Sequence, residues 1–204
     1  MYFMRVYYFR MPGSEGLSAL DILPPKPWCQ ISTWLLMSSV FVKKPFFYNL
    51  ASLSALLSAV VFFIYPGVGF NNEYLIFENW YSICSHALLL TTSITLIGFR
   101  YADFRYKHLW KEVVGFGLTF VYGLLQIFVL KIHSDPMYFM PGGDIQAGIL
   151  RIDYGLYIVA YIALLIIYIN IPHILGDKET VRRFLTKTKQ KLSKQNGPSA
   201  EAVQ

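Results

Sequence analysis

The run Phe46–Tyr65 holds twenty residues without a single charge. As a helix rising about 1.5 Å per residue, it matches the roughly 30 Å hydrocarbon core of a bilayer. Nothing else in the chain narrows the options as much. In lipid every backbone polar group must be satisfied internally, which leaves helices and closed barrels. Four more apolar runs accompany it: Trp28–Val42, Tyr74–Phe99, Val113–Ile132 and Tyr154–Leu175. Only 15% of the 204 residues are charged, against about 25% in a soluble domain, and mean hydropathy is +0.43. The chain therefore reads as an all-α, polytopic transmembrane helical bundle of about five spans over residues 28–175. An interfacial segment, 1–27, precedes it, and a basic tail, 176–204, follows.

Local signals sharpen this reading. Arg5 and Arg10 interrupt the N-terminal aromatics, so no cleavable signal peptide is expected. The first span is short, and Lys43 and Lys44 end it. The second is rich in small residues (Ala51, Ser52, Ser54, Ala55, Ser58, Ala59), which let helix backbones approach closely. Pro66, Gly67 and Gly69 mark the turn that follows. His133–Asp153 is long for a bundle loop, and loops of that length are often functional. Thirteen Lys and Arg fall on the side of Lys43/Lys44, the 100–111 segment and the tail, against five on the other side. The positive-inside rule puts the tail in the cytoplasm, the N-terminus outside, and the protein in the cell membrane. The net charge of +6 thus reflects orientation, and nucleic acid is not an expected partner. The expected partners are membrane lipids, with a protein partner or a second copy of the chain beside them.

Chemistry is concentrated in Glu78–Phe99. His86 sits there at membrane depth, where an ionisable residue is a functional candidate by default. Asn79, Ser82, His86 and Ser93 recur at helical spacing and share a face. Cys29 opens the first span on the same side of the membrane, and Glu78, Tyr122 and Gln126 lie toward that side too. A thiol becomes a nucleophile when a neighbouring imidazole takes its proton, so Cys29 and His86 are the candidate catalytic pair for acyl transfer. Glu78 or Asn79 would orient the ring, and Tyr122 or Gln126 would stabilise an oxyanion. Two plainer readings stand beside this one. A lone span histidine more often packs and hydrogen-bonds than reacts, and Cys29 and Cys84 lie close enough in topology to pair. Asn170 and His173 read as capping residues at the end of the last span. No metal spacing, phosphate loop or dinucleotide fingerprint is present, so no cofactor or metal is expected.

The run LPPKPWCQISTWLL (Leu23–Leu36) resembles the Leu-Pro-Leu-His-Leu-Cys signature of YwaF-type integral membrane proteins. YSICSHALLL and VYGLLQIFVLKIHSDPMYFMPGGD resemble that family's later His-ending segment and its Tyr-rich span and loop, in the same order. The family is similar to the eukaryotic transmembrane protein 164 acyltransferases, which move acyl chains onto ether phospholipids through a Cys and a His. By position the resemblance implies Cys29 and His86 for those roles. The chain departs from the pattern at Pro27, where the signature has His, and at Asp135-Pro136, where the loop has Asn-Tyr. The family carries one or two spans ahead of the Cys-bearing helix, so the resemblance implies a shortened form. The rival expectation is a non-catalytic bundle that binds a lipid or small ligand, or a subunit of a larger membrane complex.

Overall fold

The computed structural model describes residues 25, 28–65, 77–132, 135–179, 182, 183 and 186. Apart from Pro25, the expected interfacial segment lies outside these residues, as do the turn at Pro66–Gly69 and most of the tail. The described residues form five α-helices and a short π-helical turn, with no strand among them. They are α1 (Trp28–Val42), α2 (Pro45–Ile64), α3 (Phe77–Gly98), α4 (Tyr106–Phe128) and α5 (Tyr154–Gly176), with the π turn at Asp144–Leu150. Among the described residues four helices, α2 to α5, are long and apolar enough to cross a membrane.

The helix ends follow from local chemistry. Pro45 stands in the first turn of α2, where its missing N–H has no intrahelical role. Asp153 caps α5 by accepting from the backbone N–H groups of Gly155 and Leu156. Lys43, Arg100 and Lys131 follow α1, α3 and α4 closely, each at a positive φ of 48 to 60°. Glycine usually fills such C-terminal positions. A cation there faces the negative end of the helix dipole, which offsets part of the strain. One end of the bundle therefore gathers Lys43, Lys44, Arg100, Arg105 and the start of the tail. The opposite end carries the 135–153 loop.

α2 is the central helix. Asn49 to Ala55, Ser58, Ala59 and Phe62 are all buried. The small residues expected to permit close approach do so. The hydroxyls of Ser32 and Ser54 meet at 2.8 Å between α1 and α2, and Ser93 Oγ of α3 donates to the Ser52 carbonyl at 2.6 Å. α5 reaches α2 through Tyr168, whose hydroxyl donates to the Leu53 carbonyl at 2.7 Å. These bonds sit among apolar side chains, where water cannot compete for them.

α1 has only 15 residues, about 22 Å of helix. The loop after α4 makes up the difference. The Trp28 N–H donates to the Pro136 carbonyl at 3.1 Å, and Met137 is fully buried in the core with Trp28 and Ile31. Irregular backbone at this depth survives only where protein satisfies it. Three tyrosines of α5 supply the donors. Tyr154 donates to the Phe139 carbonyl, Tyr157 to Tyr138 and Tyr161 to Met137. Asp135 Oδ1 accepts from the N–H groups of Phe139 and Met140.

α4 begins two turns earlier than the apolar run that marks it, at Tyr106 instead of Val113. Its first turns carry Lys107, His108, Lys111 and Glu112, and that polarity hides the helix from a hydropathy reading.

Candidate functional site

The loop-end half of the α1–α2–α3 interface holds Cys29 and His86, the pair singled out from sequence. His86 is buried, with 7% of its surface exposed. Its Nδ1 lies 2.8 Å from the Ser82 carbonyl, one turn back on α3. A carbonyl only accepts, so Nδ1 carries the proton and Nε2 is the basic nitrogen. The ring lies flat on Phe62, with centroids 3.8 Å apart and planes 7° from parallel. Cys29, the second residue of α1, is half-buried and packs against the cluster of Ala55, Ala59 and Leu89. Leu89 is one turn along α3 from His86, and Ala59 is one turn along α2 from Phe62. Thiol and imidazole therefore occupy neighbouring layers of one three-helix interface. No disulfide joins Cys29 to Cys84, whose side chain is exposed.

The other expected site residues divide. Asn79 is buried on α3, one turn before Ser82, whose side chain is half-buried. Glu78 belongs to the first turn of α3, and its side chain lies outside the described residues. Tyr122 and Gln126 are not in this interface. Both donate to the carbonyl of Pro25, at 3.3 and 2.6 Å, and so pin the chain as it enters α1. Tyr122 packs on the cluster of Trp28, Ile31 and Phe116. Trp28 and Cys29 point about 100° apart on α1, which separates the two groups. Gln126 is fully buried, and its Oε1 has no partner among the described residues.

A second polar centre lies at the opposite end. Glu112 of α4 and His173 of α5 are both fully buried, with His173 Nε2 2.7 Å from Glu112 Oε2. Asn49 of α2 donates to the other carboxylate oxygen at 2.5 Å. The same amide clasps the peptide of Asp103, taking its N–H at 2.6 Å and giving to its carbonyl at 2.7 Å. Phe104 and Tyr106 cover the His173 ring, at centroid distances of 5.6 and 5.8 Å. His173 Nδ1 has no partner among the described residues. The side chain of Asp103 faces outward to Arg105, with His108 Nε2 3.3 Å away. The Arg105 hydrogen bond holds the Asp103 carboxyl below the usual carboxylate range. Attraction to Arg105 and His108 assists, and partial burial opposes.

The network ties α2, α4, α5 and the 99–105 segment through one buried carboxylate. Sequence reasoning assigned His173 only a capping role and passed over Asn49 and Glu112. The available signal was one acid inside a helix otherwise flanked by cations, and an intramembrane acid calls for a named partner. Among the described residues no group of three or more His, Cys, Asp or Glu is placed to hold a metal ion. Comparison with family models, curated proteins and solved structures finds no match.

Proposed function

We propose that the chain is a YwaF-type membrane protein that transfers an acyl chain through Cys29, with His86 as the base. The observation that carries this reading is the fixed tautomer of His86. Its Nδ1–H is bound to the Ser82 carbonyl, so Nε2 is the nitrogen able to take a proton. The thiol packs in the adjoining layer of the same interface. In the reaction, His86 Nε2 takes the Cys29 proton as sulfur attacks the ester carbonyl of a phospholipid. The proton passes to the departing lysophospholipid oxygen, leaving a thioester. A lysophospholipid hydroxyl then attacks the thioester, and its proton returns by way of the same nitrogen to the sulfur. The excess of basic residues at the tail end supports a cytoplasmic tail and, with it, a thiol toward the outer leaflet.

The experiment is incubation of the purified full chain in nanodiscs with defined phospholipids, read by mass spectrometry. The reading expects an acyl adduct on Cys29 that is lost in His86→Ala. An adduct that persists unchanged in that variant counts against His86 as base.

The flat stack of His86 on Phe62 favours a second reading, in which the imidazole packs and the bundle binds lipid without catalysis. That reading expects no Cys29 adduct with any donor.

A further inference from the structure

In the buried Glu112–His173 pair the hydrogens do not all find partners. Asn49 fixes one side of it. The Asn49 amide gives to Glu112 Oε1 and to the Asp103 carbonyl, and its oxygen accepts the Asp103 N–H. Glu112 Oε1 is therefore an acceptor, and a proton shared by the pair lies between Oε2 and His173 Nε2, 2.7 Å apart. A second proton has one place left, His173 Nδ1. With both protons the pair is neutral overall and Nδ1–H is a donor. With the bridging proton alone the pair carries one negative charge and Nδ1 is a bare lone pair. His173 is fully buried, and Nδ1 has no hydrogen-bond partner among the described residues. An unmet N–H costs less than a carboxylate charge left uncompensated in a dry interior. The closed bundle therefore holds the second proton.

Among the described residues no cation other than His173 pairs with Glu112. On α4, His108 stands one turn before Glu112 with its Nε2 3.3 Å from the Asp103 carboxylate, and Lys111 lies over the rings of Phe46 and Trp110. Arg105 is paired outward with Asp103. On α2, Lys44 is exposed and the Tyr48 ring rests on Tyr101. On α5, Asp177 accepts the Tyr106 N–H, and Tyr168 donates to the Leu53 carbonyl. Tyr106 presents its ring to His173.

α5 supplies the moving part. Pro172, inside the helix and next to His173, removes the N–H that would bond the carbonyl one turn back. Sharp bends in helices are commonly sited at proline. α5 is also the least buried of the four long helices. Beyond Pro172 its end is held by His173 on Glu112, by Gly176 close under Phe104 and by Asp177 on the Tyr106 N–H. We infer that Glu112 and His173 form a proton-operated latch: the pair binds one hydrogen ion, and losing it to water releases the end of α5 beyond Pro172 from α4 and the 99–105 segment. Water then reaches the carboxylate and solvates the charge left behind. His108 links the pair to the surface, since it shares a face of α4 with Glu112 and reaches Asp103, whose side chain is 24% exposed. The latch lies at the opposite end of the bundle from Cys29 and does not rest on the acyl-transfer reading.

The test uses the full chain in nanodiscs with isotopically labelled histidine, followed by NMR from about pH 5 to about pH 9, a range that brackets ordinary histidine titration. The His173 ring is picked out by its correlation to labelled Pro172. As pH rises, Nδ1 is expected to lose its hydrogen while Nε2 keeps the bridging one. Spin labels on Lys107→Cys and Lys178→Cys, both exposed positions, report the α4–α5 separation in a chain that also carries Cys29→Ser and Cys84→Ser. The separation is expected to pass from short and narrow at the acid end to longer and broader at the alkaline end, in step with Nδ1. Glu112→Gln cannot ionise yet still accepts from Asn49, and it is expected to hold the short separation throughout. Should it fail to fold, Glu112→Met with His173→Leu removes the same proton and is expected to give the same flat profile. A Nδ1 hydrogen unchanged across the range overturns the proton site. A separation that stays fixed while Nδ1 titrates overturns the latch, as does a widening that persists in Glu112→Gln. A widening abolished by His108→Gln while His173 still titrates also overturns it and assigns the movement to His108.

Discussion

His173 Nε2 and Glu112 Oε2 lie 2.7 Å apart, and neither side chain reaches the surface. The two residues are 61 positions apart in sequence and belong to different helices. Asn49 from a third helix completes the carboxylate's set of donors. Removing one member leaves the others buried without compensation. Glu112→Ala or His173→Ala is therefore expected to destabilise the bundle by about 3–5 kcal/mol, measured as thermal unfolding in nanodiscs. Glu112→Met combined with His173→Leu is expected to recover most of that loss, because a well-packed apolar pair of similar volume is often neutral. A double variant no better than the worse single one would show that the pair does more than satisfy itself.

The tyrosines of α5 give a second expectation. Tyr161→Phe leaves the Met137 carbonyl without its donor in a dry interior, a loss of about 1–3 kcal/mol. Because the loop segment rests on three such hydroxyls, the effect should be local before it is global. Hydrogen exchange at the Phe139 and Met140 amides, both bound to Asp135, should rise well ahead of exchange in α2. Uniform acceleration across the bundle would mean that the loop is not a separate unit.

The Asp103 carboxyl sets an acid limit. Its folded-state pKa is lowered, chiefly by the Arg105 hydrogen bond. The unfolded value is about 3.9. A depressed carboxyl contributes stability that is present above the unfolded value and is lost as pH falls through the folded one. Arg105→Gln should therefore leave the shape of the stability profile unchanged from pH 8 to pH 5 and flatten only its acid limb. A difference in slope between native and variant chains near neutrality would contradict this assignment.

Helices α2 to α5 were legible because their apolar runs are long enough to have only one solution in lipid. The end of α1 falls just before Lys43 and Lys44, and the start of α5 falls where Asp153 caps it. The start of α4 was not legible, since His108, Lys111 and Glu112 look solvated in one dimension. They are instead folded against Asp103, Phe46 and His173. Periodicity found His86 because its polar stripe lies on one helix. It missed Glu112–His173 because that pair exists only across two. Nor does any local pattern announce that the 135–140 loop turns inward. Its carbonyls find donors only once α5 is beside them.

The glycines of α4 separate two kinds of close approach within two turns. A Cβ at Gly123 would come 2.5 Å from Met137 Cγ, and Met137 is fully buried under the loop, so the neighbour has little room to shift. Gly123→Ala is expected to cost about 1–3 kcal/mol by overpacking and to raise exchange at residues 136–140. At Gly117 the same methyl enters open space. There the only change is better helix propensity, and Gly117→Ala should stabilise by up to about 1 kcal/mol. Opposite signs at two glycines of one helix follow only if the loop packs over Gly123 and the space beside Gly117 is open. Equal effects in thermal unfolding would remove the support for both.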